Sequence, residues 1–313
     1  MSLLILNIPS EIVNVLVLIF AVLIICSIVF RLIYSKKKND FWKEIIIRTN
    51  SWWKIAAGIA ILVTAPALVG TLLIAYVSFV ALREMFSISH FRNEDRVALF
   101  VGYFAVPIQY YLAYNNYYEA FLYFIPLVMF IAIPVVLVFN GKTEKIGRSM
   151  SIIPSLIMLT VYMLSHLVLL FHIETANFNA GAGGLILFLI VLIAFNDVFQ
   201  FTWGKLLGKH KILPRVSPNK TWEGFIGGIF TTAIFAVANR FLTPLAAEQA
   251  FIVGLVIGIT GFLGDALISA IKRDLKLKDT DDLIPGHGGV MDRLDSIILI
   301  TPIYYHLLKF LIR

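Results

Sequence analysis

The stretch from Ser269 to Asp295, SAIKRDLKLKDTDDLIPGHGGVMDRLD, sets ionisable residues, glycines and a histidine against strongly apolar sequence on both sides. Polar groups persist at membrane depth only where they are paired or line a polar cavity. Asp292 and Asp295 lie three apart, so both point the same way as the last apolar run begins. In the run before, Gly254, Gly258, Gly261, Asp265, Ser269 and Lys272 recur every three or four residues, which places them on one helix face. Asp265, Asp292 and Asp295 are therefore expected to converge from two helices flanking one loop. Hard carboxylate oxygens of this kind suit Mg²⁺, which keeps waters and shares its shell with phosphates. For Asp265 the alternative is an ion pair, with Lys272 for example, that serves only helix packing. For the glycines the plainer role is close helix approach.

Pro285, Gly286, His287, Gly288 and Gly289 lie between these carboxylates. Glycines permit backbone conformations in which successive N–H groups face one anion, and Lys272, Arg273 and Lys278 add positive charge. His287 is open between a phosphate contact and a structural hydrogen bond. A second constellation runs from Asn196 to Gly224. Asn196, Asp197 and Gln200 end an apolar run, Arg215, Ser217, Asn219 and Lys220 follow in a proline-punctuated loop, and Glu223 opens the next helix. Such a loop fits an anionic headgroup or a triphosphate. The alternative is a topology-setting basic loop with Trp222 as an interfacial anchor.

The elements that must position these residues follow from composition. The 313 residues are 59% hydrophobic and only 14% charged, more apolar surface than a soluble domain can bury. The expected fold is an all-α polytopic integral membrane protein. A barrel is excluded because the apolar runs are continuous rather than alternating. The single cysteine, Cys26, sits inside an apolar run, which excludes a disulfide framework. The net charge of +7 is gathered in short loops, a topology signal with no nucleic-acid partner expected.

The first span reads from Ile12 to Arg31, and Lys36, Lys37, Lys38, Lys43 and Arg48 mark a cytoplasmic loop after it. Trp52 to Met85 as one helix would be ~50 Å long against a hydrocarbon core of ~30 Å, so a break at Pro66 into two helices is expected. Further spans read at about 97–114, 119–139, 150–172, 184–203, 224–242, 250–271 and 294–311. The loops with Lys142, with Lys209 and with Lys276 then share the cytoplasmic face, and both termini face outward. The total is ten spans, or nine if the Trp52 segment crosses once. Residues 1–95 read as an N-terminal transmembrane region and 96–313 as a catalytic transmembrane domain in the cell membrane, its site facing the cytoplasm.

Ser269-x-x-Lys272-Arg273-x₄-Lys278-Asp279, then Pro285-x-His287-Gly288-Gly289-x-x-Asp292-Arg293-x-Asp295, resembles the signature of phosphatidate cytidylyltransferases, the CDP-diacylglycerol synthases. Ser217-Pro-Asn-Lys220-Thr-Trp222-Glu223-Gly224 looks like that family's second motif. The likeness is specific from residue 190 to residue 296, and nothing before residue 95 is diagnostic. It implies that CTP and phosphatidic acid yield CDP-diacylglycerol and pyrophosphate, with Mg²⁺ required and K⁺ as a second cation. Asp265, Asp292 and Asp295 would serve the cations and, with Lys272, catalysis. Asp197, Arg215, Ser217, Asn219, Lys220, Ser269, Arg273, Lys278, His287, Gly288, Gly289 and Arg293 would bind substrate. Membrane lipids and a second copy of the chain are the further partners considered. The chain departs from the family pattern at Asp281 and at Val198, Phe199, Gln200 and Phe201, positions that bear on which lipid is used. A CTP-dependent lipid alcohol kinase is the nearest alternative. A cation or phosphate transporter is the alternative outside enzymes, since intramembrane aspartates and glycine-broken helices also suit transport.

Overall fold

The computed structural model describes residues 8–174, 178–281 and 288–312. Pro285, Gly286 and His287 lie outside the described residues. The architecture is helical, with α1 (Ser10–Lys37), α2 (Asp40–Thr64), α3 (Ala67–Ile88) and α4 (Arg96–Tyr114) in the first third. The next span joins α5 (Tyr118–Tyr123) to α6 (Phe130–Phe139) through a π-helical segment, and the one after joins α7 (Ile146–Ile157) to α8 (Leu164–Leu169) in the same way. Then come α9 (Gly181–Leu207), a hairpin of β1 (Lys211–Leu213) and β2 (Ser217–Thr221), α10 (Trp222–Ala238), α11 (Ala247–Asp274) and α12 (Met291–Leu311).

The break expected in the Trp52–Met85 segment is at Pro66. Ala65 is extended, as a residue before proline tends to be, and Pro66 opens α3 from outside. The start of α2 differs from expectation. Asn39 caps it by accepting the Trp42 amide at 3.1 Å, so Lys43 and Arg48 lie on the helix rather than in a loop. Capping chemistry overrides the charge signal there. Among the described residues eight helical segments are long and apolar enough to cross a membrane, so the chain is a multi-pass membrane protein. α10 has 17 residues, or about 26 Å, and together with α2 it brings the number of long helical segments among the described residues to ten.

The C-terminal helices carry the site. α10 packs closely on α11 because Gly254 and Gly258 leave no room for a side chain. A Cβ at Gly254 would sit 2.6 Å from Ala233 Cα, and one at Gly258 3.0 Å from Ile229 Cα. Gly224 and Gly228 seat α10 against Gln200 and Gly204 of α9 in the same manner. Close approach of this kind is how helices associate where no hydrophobic effect drives them together. Gly264 brings α11 onto the α12 backbone at Asp295 and Ser296.

Candidate active site

Asp197 lies ten residues before the end of α9 and Asp265 nine before the end of α11, while Asp295 is in the second turn of α12. The helix packing draws these three together from three helices, close enough for each charge to be felt by the others. Asp197 keeps an accessible face, and Asp265 and Asp295 are half-buried. Ser296 hydrogen-bonds Asp197, and its amide donates to Asp295 at 2.7 Å. Below them Asn196 is fully buried and accepts from Gln200 at 3.1 Å and from Thr232 at 3.1 Å.

Lys220 comes from β2. Its ammonium lies 2.5 Å from Asp265 and over the ring of Phe262, 4.4 Å from the centroid. The cation partner of Asp265 is therefore Lys220 and not Lys272. Thr221, the next residue, caps α10 by accepting the Gly224 amide, which fixes where the hairpin enters the bundle. Glu223 holds the other hairpin arm by accepting from the amides of Lys209 and His210 and from His210 Nδ1 at 2.6 Å. Arg273 ties the hairpin to α11, donating to the Val216 carbonyl at 3.3 Å and to the Leu277 carbonyl at 2.8 Å. Ser269 donates to Asp265 at 3.0 Å, one helical turn away.

Asp292 is placed differently from the expected convergence. Its carboxylate accepts from Lys272 at 2.6 Å, from the Thr280 amide at 2.8 Å and hydroxyl at 3.0 Å, and from the Gly289 amide at 3.0 Å. Residues 292 and 295 do share a helix side, but Asp292 faces the returning loop whereas Asp295 faces α9 and α11. The Gly289 amide already donates to Asp292. Gly288 adopts φ +79, where a side chain would be strained, and its Cβ would meet Asp292 Oδ2 at 2.6 Å. Arg215, Asn219, Lys278 and Arg293 are exposed and Ser217 is half-buried. Arg293 is close enough to attract Asp197. Val198 and Phe201, two of the departures from the family pattern, are 54% and 69% exposed, and Phe201 lies one turn after Asp197 on the same helix face.

One residue of the site lies where the sequence reading finds nothing diagnostic. Glu84, in α3, is 3% exposed and accepts from the amides of Val290 at 2.8 Å and Met291 at 3.1 Å, and from the Thr280 hydroxyl. Val290 offers no side-chain cap of its own, so a carboxylate from a distant helix satisfies the first turn of α12. The signal available was the one used for Asp265, an acid inside an apolar span. Nothing in the spacing of Thr280 sets it apart in the sequence. Among the described residues no three acidic or histidine side chains are gathered tightly enough to complete a metal site unaided.

The chain belongs to the cytidylyltransferase family, which it matches over residues 46–311. It is thus a nucleotidyltransferase, built on membrane-crossing helices. It is 36% identical over 292 residues to the uncharacterized protein YnbB of Escherichia coli (strain K12), a match covering 93% of this chain and 96% of that one. It is 38% identical over 120 residues to a phosphatidate cytidylyltransferase of Staphylococcus aureus (strain COL), covering 38% of this chain and 46% of the other. It is 44% identical over 120 residues to a phosphatidate cytidylyltransferase of Mycobacterium leprae (strain TN), covering 38% of each. The matched stretch is less than half of either enzyme.

Proposed function

We propose that this protein joins CTP to phosphatidic acid, giving CDP-diacylglycerol and pyrophosphate, at a site on the cytoplasmic face of the cell membrane. The observation that carries the reading is the meeting of Asp197, Asp265 and Asp295 beside Lys220, on four separate elements. A site built to bring two anions together needs concentrated positive charge and a place to hold hard cations. Two of these carboxylates suffice for a divalent cation, since Mg²⁺ takes one or two carboxylates and fills its shell with water and substrate phosphates. Asp265 and Asp295 would hold it, with Asp197 beside them and K⁺ as a second cation. When bound, it would offset the repulsion between reactants and the charge that develops on pyrophosphate.

The residues of the chain then divide the remaining work. A phosphate oxygen of the lipid attacks the α-phosphorus of CTP in line, and the bond from that phosphorus to the pyrophosphate oxygen breaks. The nucleophile is already ionised near neutral pH, so no side chain has to remove a proton. Lys220 exchanges Asp265 for a phosphate oxygen when substrate enters, while Phe262 keeps its ammonium in place. Arg293, exposed beside Asp197, supplies a second positive charge to the same space. Lys272 and Asp292 hold the loop between α11 and α12 so that Asp295 stays aimed at Asp265.

The test is purified protein with phosphatidic acid, Mg²⁺ and CTP labelled at the α-phosphate. Label in the lipid extract is the expected result. With a lipid alcohol in place of phosphatidic acid, lipid labelled only from γ-labelled CTP would identify a lipid kinase instead, and ion or phosphate flux in proteoliposomes without CTP consumption would identify a transporter.

A further inference from the structure

A second polar cavity opens on the same face of the bundle. Glu84, near the end of α3, bonds the start of α12, so the end of α3 and the catalytic loop share one face. Just beyond α3, His90, Phe91, Arg92, Asp95, Lys145, Arg148 and Ser149 enclose a cavity of about 150 Å³. That is far more than the ~10–15 Å³ needed by one water, and is room enough for a tetrahedral oxyanion. Its lining sets three cationic side chains against one carboxylate.

The carboxylate is already occupied. Asp95 is fully buried, with Arg92 donating to it at 2.7 Å and 3.1 Å and Ser149 at 2.7 Å. The nearby Glu94 pairs with Lys142 at 2.7 Å. Arg92 is held further by the carbonyls of Lys142 and Glu144, and Arg148 donates to the Ser89 carbonyl at 3.3 Å. The cavity is therefore a built frame, in which Arg148 and Lys145 carry positive charge that Asp95 does not offset. The backbone adds an independent sign. His90 (φ 49) and Lys145 (φ 54) are two of the five described non-glycine residues with left-handed backbone, and both line this one cavity. Such conformations cost energy and gather at ligand clamps and functional loops.

We propose that this cavity is a second anion site that takes a phosphate group, either from the headgroup of an anionic phospholipid or as free phosphate. It is formed by the ends of α3, α4 and α7 and shares none of its lining residues with the carboxylate cluster, so it stands whatever reaction that cluster performs. Guanidinium and ammonium groups converging on a small polar space recognise phosphate through charge-assisted hydrogen bonds. An anionic headgroup fits the placement, because the cavity lies where membrane-crossing helices end.

The test uses the full chain purified in detergent. Binding is measured by native mass spectrometry and by the shift in unfolding temperature, with inorganic phosphate, dioleoylphosphatidylglycerol in mixed micelles, and dioleoylphosphatidylcholine as the probes. K145M and the double variant K145M/R148Q are compared with wild type and with K36M. Lys145 is exposed, so K145M keeps the question answerable if the double variant does not fold. Each removed charge is expected to weaken binding about tenfold or more, while K36M, which removes an exposed charge remote from both sites, leaves the affinity for these probes unchanged. Binding of free phosphate that the cavity variants weaken identifies a soluble ligand. Binding of phosphatidylglycerol alone, weakened likewise, identifies a lipid headgroup. Equal affinity in the cavity variants, equal binding of phosphatidylcholine, an equal loss in K36M, or no binding of either anionic probe would overturn the proposal.

Discussion

Replacing Glu84 tests whether a helix outside the carboxylate cluster holds the catalytic loop in place. At 3% exposure, this carboxylate is the partner of the part-buried Val290 amide and the buried Met291 amide at the first turn of α12. Glu84→Ala leaves both without an acceptor, at about 1–3 kcal/mol each. The lost negative charge at a helix start adds roughly 0.3–1 kcal/mol. Relief of the repulsion between Glu84 and Asp292 offsets part of that. Glu84→Gln keeps one acceptor oxygen and loses only the charge-assisted part, about 1 kcal/mol. Hydrogen exchange at the Val290 and Met291 amides should therefore accelerate about 30-fold or more in the alanine variant and less than tenfold in the glutamine variant. Cytidylyl transfer should fall in the same order, because Asp295 lies one turn further along α12. Melting temperature should fall in the same order, because the energy of the lost hydrogen bonds is lost from the folded state. An alanine variant with wild-type exchange at both amides and wild-type turnover would show that Glu84 does not position the loop.

The three carboxylates and Asp292 should part company under Asp→Asn substitution. Asp197→Asn and Asp295→Asn remove like charge from a crowded site and should lose turnover while melting at or above wild type; Asp292→Asn strands Lys272, whose side chain is 10% exposed, and should cost about 3–5 kcal/mol of stability. Thermal melts beside initial rates separate the two outcomes, and equal melting behaviour for all three would refute the division. Gly289→Ala should fail in both respects, since its Cβ would fall 2.1 Å from Glu84 Oε1 and 2.4 Å from the Thr280 hydroxyl. A well-folded, active Gly289→Ala protein would contradict that packing. Single cysteines at Lys142, Lys209 and Lys276, on a Cys26→Ser background, should react with an impermeant thiol reagent in inverted vesicles and resist it in intact cells; labelling of any one from outside would overturn the orientation.

Much of this protein is legible without coordinates because the membrane restricts the choices. Long apolar runs that cannot be buried in a soluble core become helices, and Pro66 must interrupt the run from Trp52 to Met85. The glycine spacing along α11 announces a face that another backbone approaches, and α10 lies there. The residue types near Asp265 and Lys220 also indicate phosphate and cation chemistry, because carboxylates and lysines inside apolar sequence need polar company. Their partners are another matter. Helical periodicity relates residues within one helix and says nothing about which helix lies opposite. Tertiary packing alone pairs Asp265 with Lys220, turns Asp292 toward Lys272 and Thr280, and brings Asp197 to Asp265 and Asp295. Glu84 shows the same limit most plainly. It is 206 residues from the amide it caps at Val290, a separation across which no local pattern can carry information, and only the folded bundle brings the two within 2.8 Å.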